Sequence, residues 1–247
     1  MTREKVAGHS LLYTWQGSNP TLDPILFSAH MDVVPVEPGT EEDWAYPAFS
    51  GEIAEGFIWG RGSLDMKQSL TGYMQAAEAL LAQSFEPERT VYFAFTHDEE
   101  LGAGAAREIA TMLENRGVRL LFTLDEGLVI TDGLVPGVAK PVALLGIAQK
   151  GYVTVELVVR GPGGHSSMPS TDPVNARLTR AVVKVRENPT PARLVSPVSE
   201  MFEDLALELG ILNRVFLANR WLFGPVLMSR LDASPPTSAL IRTTFAP

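Results

Sequence analysis

Four polar clusters, each set at the expected end of a strand, constrain the fold of this chain more than any other feature. They are Ser28-Ala29-His30-Met31-Asp32, Gly60-Arg61-Gly62-Ser63-Leu64-Asp65-Met66-Lys67, Thr96-His97-Asp98-Glu99-Glu100 and Leu124-Asp125-Glu126-Gly127. Residues 24–29 form a short apolar run that suits a buried strand delivering His30 at its end. Residues 66–83 place Leu70, Tyr73, Met74, Ala77, Leu80 and Leu81 at helical spacing, which predicts an amphipathic helix. A second strand is expected over 90–96, a second helix over 103–116 closed by Gly117, and a third strand over 120–124. Strand and helix alternate, and polar residues gather just past the strand ends, where sites form in open α/β sheets.

The pattern changes near Ile147. Val153, Val155, Leu157 and Val159 alternate along 152–160, as in a strand with one solvent face. A glycine-rich loop reaches His165, and a helix is expected over about 173–186. Further helices are expected over 202–209 and 212–222, with a late strand over 240–245. These readings place a domain boundary near 148, giving domains of 1–147 and 148–247.

At 247 residues the chain is long enough for a sizeable core and two modest domains. A formal net charge of -9 argues against nucleic acid or an anionic membrane surface as the main partner. The absence of cysteine excludes disulfides, thiolate metal sites and cysteine nucleophiles. Residues 1–10 carry no apolar core of a secretory signal, and no run approaches the roughly 20 apolar residues of a membrane span. The expectation is a soluble protein, cytoplasmic by default.

The chemistry lies in the clusters. On extended backbone His30 and Asp32 leave the same face, so the imidazole can bind a metal while the carboxylate holds its other nitrogen. Asp65 enters a helix from a glycine-flexible turn; it can bridge two cations or simply cap that helix. Glu99 and Glu100, as neighbours on extended backbone, are expected to point apart, one toward metal and one toward a proton. His97, His9 and the four tryptophans read as structural or surface residues. Arg242 can hold a substrate carboxylate bidentately or pair with a nearby acid. The glycines at 161, 163 and 164 are not a phosphate loop, because no Lys-Ser or Lys-Thr pair follows.

Together these segments resemble the zinc-dependent carboxypeptidase and aminoacylase family of co-catalytic metallopeptidases, in particular its carboxypeptidase S and N-acyl amino acid hydrolase branch. The resemblance extends to Gly163-Gly164-His165-Ser166-Ser167, to Asn219-Arg220-Trp221-Leu222-Phe223-Gly224-Pro225 and to Ser238-Ala239-Leu240-Ile241-Arg242-Thr243-Thr244. It implies a mostly parallel α/β catalytic domain with a smaller ferredoxin-like α+β lid that dimerises. It also implies two zinc ions: His30, Asp65, Glu100 and Glu126 as ligands (Asp125 as the second choice for the last), Asp32 orienting His30, and Glu99 as general base. His165 would reach a partner's site to stabilise an oxyanion. The substrate would be a peptide or an N-acyl amino acid cleaved at an amide beside a free carboxylate. The family's final zinc-binding histidine has no counterpart here, so the chain is expected to be a fragment of a longer enzyme or a short form without catalysis.

Overall fold

The computed structural model describes residues 1–127, 130–133 and 138–246. Its first strands are β1 (Thr2–Val6) and β2 (Ser10–Trp15), an antiparallel hairpin that turns through Ala7 and Gly8, both at positive φ. Strand β3 (Ile25–His30) follows, then a two-stranded ribbon of β4 (Glu52–Ala54) and β5 (Phe57–Trp59). Helix α1 (Gln68–Ala82), strand β6 (Val91–Thr96), helix α2 (Gly104–Asn115) and strand β7 (Phe122–Leu124) come next. The main sheet runs β1-β2-β6-β3-β7.

All six residues of β6 are buried, and the two-residue period of a strand divides them between two layers. Val91, Phe93 and Phe95 pack with Ala77, Leu70, Tyr73 and Met74 of α1, while Tyr92 and Ala94 pack with Ile109 and Leu113 of α2. Helix, sheet and helix thus form three layers, and the helical spacing read from the sequence supplies both contact faces. Helix α2 ends as expected: Gly117, at φ +70, donates to the Glu114 carbonyl at 2.8 Å.

The sheet is mixed rather than mostly parallel. β3 pairs in parallel with β6 and β7, but β2 pairs antiparallel with both β1 and β6. The N-terminal hairpin causes the difference, occupying the edge of β6 opposite β3.

The chain divides into two compact units, Met1–Gly127 and Leu128–Pro247, so the expected boundary at 147/148 falls inside the second. That second unit contains a two-residue pair, β8 (Ile130–Thr131) with β9 (Val142–Ala143). Five helices follow: α3 (Val174–Glu187), α4 (Val198–Glu208), α5 (Ile211–Ala218), α6 (Arg220–Asp232) and α7 (Pro235–Ile241). Leu217, Leu227, Leu231 and Ile241 form its core with Phe202, Phe216 and Met228 around them.

The expected strands over 152–160 and 240–245 are absent, and the described residues contain no ferredoxin-like sheet. Alternation makes a strand only where a partner supplies ladder hydrogen bonds, and Tyr152, 93% exposed, and Val153 have none. Helix α7, with proline at its first turn, runs through Ile241 and takes the first two residues of the expected late strand, and residues 242–245 form no strand. Among the described residues no helix is long and apolar enough to cross a membrane.

Candidate metal centre

The end of β3 delivers His30 to a place where only 2% of its surface stays exposed. A buried imidazole needs partners for both nitrogens. Nδ1 lies 2.9 Å from the Asp32 carbonyl and 3.5 Å from the Asp32 carboxylate, so the carbonyl, not the carboxylate, is its nearer acceptor. With its proton on Nδ1, the ring turns the Nε2 lone pair toward Asp65 Oδ1 at 2.9 Å and Glu126 Oε2 at 3.6 Å. A lone pair facing two carboxylates is repulsive unless a cation, a proton or a metal, stands between them.

Asp65 reaches His30 from the turn before α1. The residue capping α1 is Lys67, so the helix-capping alternative for Asp65 does not describe this structure. Gly62 makes that turn possible, with φ +82 and a hypothetical Cβ only 2.4 Å from Val33 Cγ1. Lys67 Nζ donates to the Met31 carbonyl at 2.5 Å and ties the turn to the segment following β3.

Glu99 and Glu100 sit on a 3-10 turn, Glu99–Leu101, rather than on extended backbone. The Asp32 carboxylate accepts both of their backbone N–H groups, at 3.2 and 3.0 Å, and so fixes the turn. Both carboxylates consequently face His30 instead of pointing apart: ligand atoms of His30, Glu99 and Glu100 lie within 4.8 Å of one another. His30, Asp65 and Glu126 form a second group of the same kind.

Like charges at such a distance repel by about 3–4 kcal/mol per pair at an effective dielectric near 20, and the titrations respond. Burial, and then the neighbouring Glu100, Asp32 and Asp125, hold the Glu99 carboxyl above the ordinary range despite the opposing pull of His30. Burial and Asp65 do the same to Glu126. For His30 burial acts downward, but Asp65, the Asp32 carbonyl and Glu126 together outweigh it, and the imidazole is held above its ordinary value. The cluster therefore attracts positive charge. Imidazole nitrogen with carboxylate oxygens is a donor set that zinc accepts, and the hydrogen bond at Nδ1 is the outer support a ligating histidine normally has.

Other predicted residues lie elsewhere. His165 is exposed in the second unit, its Nδ1 accepting from Ser167 Oγ at 2.8 Å. Arg242, also in that unit, donates to Asp232 at 2.5 Å, the acid-pairing alternative read from the sequence. Asp98 has a role the sequence reading left unspecified: its carboxylate accepts the Ala105 N–H at 3.2 and 3.1 Å and caps α2. The signal for it is an aspartate shortly before a helix start. Val34, Trp44, Arg61 and Leu64 line a cleft of about 160 Å³ that reaches Asp65 and Glu100.

A family model described as Peptidase family M20/M25/M40 matches residues 26–226. The N-fatty-acyl-amino acid synthase/hydrolase PM20D1 of Xenopus tropicalis is 42% identical over 245 residues, 98% of this chain and 47% of that protein. Probable carboxypeptidase S-like 2 of Dictyostelium discoideum is 39% identical over 244 residues, again 98% of this chain but 46% of its own length. Carboxypeptidase S of Saccharomyces cerevisiae is 39% identical over 193 residues, 75% of this chain and 33% of that one. The chain spans about half the length of the first two of these relatives.

Proposed function

Because the chain belongs to peptidase family M20/M25/M40, we propose that it carries the metal-binding and proton-transfer residues of a zinc-dependent hydrolase. The bond cleaved is an amide beside a free carboxylate, in a peptide or an N-acyl amino acid. The observation that carries this reading is the buried His30 Nε2 set 2.9 Å from Asp65 Oδ1 and 3.6 Å from Glu126 Oε2, with Glu99 and Glu100 converging on the same imidazole.

In this reading His30, Asp65, Glu100 and Glu126 hold zinc, and Asp32 orients His30 while tying down the turn that bears Glu99. Zinc bound there supplies Lewis-acid polarisation of the scissile carbonyl and eases ionisation of water. Glu99 takes the proton of the attacking water and returns it to the leaving amine. Its raised carboxyl pKa suits both transfers, because a group that titrates closer to neutrality gives up its proton as readily as it takes one. The second unit acts as a lid and dimerisation domain, and His165 of a second copy stabilises the oxyanion. The 160 Å³ cleft beside Asp65 and Glu100 gives the substrate access.

Zinc content measured with hydrolysis of an N-acyl amino acid and peptide panel tests the proposal. Bound zinc with turnover that disappears in Glu99→Ala is the expected result. Zinc-free protein without turnover would instead support a non-catalytic protein that keeps the fold.

A further inference from the structure

The substrate of the proposed hydrolase carries a free carboxylate, and the carboxylates of the metal centre repel such an anion unless a cation receives it. Among the described residues that line the 160 Å³ cleft beside Asp65 and Glu100, Arg61 bears the only positive charge. Its backbone is held by an N–H donated to the Ala48 carbonyl at 2.6 Å. Its guanidinium lies over the Trp44 ring, the central carbon 4.9 Å from the ring centroid. Stacking of this kind positions the cation through the ring face and leaves the N–H donors, which lie in the guanidinium plane, free to bond.

Those donors have no acceptor. Although two carboxylates line the same cleft, the Arg61 guanidinium makes no ion pair or side-chain hydrogen bond among the described residues. Its Nε is buried and unpartnered. A buried donor without an acceptor is uncommon in folded proteins and calls for an explanation. Arg242 is the other arginine with a buried, unpartnered Nε, but its guanidinium is already committed to Asp232 at 2.5 Å. The charge on Arg61 has no such counter-ion.

We propose that Arg61 receives the free carboxylate of the substrate, with the scissile carbonyl directed toward Asp65 and Glu100. In a peptide C-terminus or an N-acyl amino acid, carbonyl carbon and carboxylate carbon are three bonds apart, so both ends of that unit fit one small cleft. Its volume is well under the roughly 300–1,000 Å³ of a whole small-molecule site, which suits one end of a substrate. Val34 and Leu64 line the same cleft and offer the side chain of the released residue an apolar contact. The choice of substrate rests on the hydrolase reading; the binding test does not need turnover.

The probe is the ketomethylene analogue of N-acetyl-leucine, in which CH₂ replaces the amide NH so that nothing can be hydrolysed. Calorimetric titration compares it with its own carboxamide, on the whole chain both zinc-loaded and metal-free. The carboxylate should bind roughly tenfold to a hundredfold more tightly than the carboxamide, the worth of a charge-assisted contact. Arg61→Met should bring the two ligands near parity, and Arg61→Lys should keep part of the preference, because it keeps the charge and loses the fork. A preference that persists in Arg61→Met would overturn the proposal, since another group would then hold the carboxylate. Equal weakening of both ligands, or no saturable binding of either, would overturn it too. Hydrolysis is scored separately: a chain without turnover whose preference still depends on Arg61 counts against the hydrolase reading and supports the assignment of Arg61.

Discussion

At the scale of single residues, the candidate metal centre gathers negative charge around one imidazole, and its behaviour without metal follows from that. Glu99 and Glu126 are raised from 4.5, and His30 is raised from 6.5. All three bind protons more tightly folded than unfolded, so their stabilising contribution is complete below those ordinary values and disappears as pH rises through the raised ones. Metal-free chain should therefore lose thermal stability as pH climbs from 4.5 past neutrality, and Glu126→Gln should make that decline shallower. Melting temperatures across the range check this, and a curve that climbs over the same window would contradict it. Glu99→Gln should retain zinc but lose hydrolysis by about 10²–10⁴-fold, the span of a general base; metal analysis beside rate measurement separates the two effects. The convergence of His30 with Glu99 and Glu100, and with Asp65 and Glu126, follows clusters that were legible in the sequence. The detail that was not legible is Asp32, whose carboxylate serves the backbone of a turn 67 residues away while its carbonyl serves His30. Sequence spacing places a side chain on a strand face but does not say which of its atoms, or its backbone's, will meet a distant loop.

At the scale of elements, the turn bearing Glu99 and the helix after it share one device. Asp98 caps α2 through the Ala105 N–H, and its carbonyl accepts the N–H of Ala103 at 2.9 Å. Asp98→Ala should cost about 1 kcal/mol, the usual value of an N-terminal cap, measured as a shift in the urea midpoint with zinc content preserved. Phe93→Ala, in the central strand and 5% exposed, should cost several times more, about 3–5 kcal/mol. These elements were readable because β6 is an unbroken apolar run and α2 carries its apolar residues at helical spacing, and the two pack on each other in the expected layers. Others were not. The hairpin of β1 and β2 hides in a polar stretch where Thr2 to Val6 pairs residue by residue with Thr14 to Ser10. Helix α6 runs through Gly224 and Pro225, a pair that normally marks a break, because Leu227 and Leu231 anchor it in the core. Residues 152–160 show the converse: good alternation without a neighbouring strand remained outside any sheet.

At the scale of the whole molecule, the two units have separate cores. The sheet and its two helices bury one set of residues, and Leu217, Leu227, Leu231 and Ile241 bury another. Every proposed zinc ligand lies before Leu128, so metal is linked only to the first core. Binding adds RT ln(1 + [L]/Kd) to the stability of whichever cooperative unit contains the site, about 2.7 kcal/mol when ligand exceeds Kd a hundredfold. Calorimetry of the intact chain should therefore resolve two transitions, with zinc raising one and leaving the other in place. A single transition that moves as a whole with zinc would mean that the two cores unfold together.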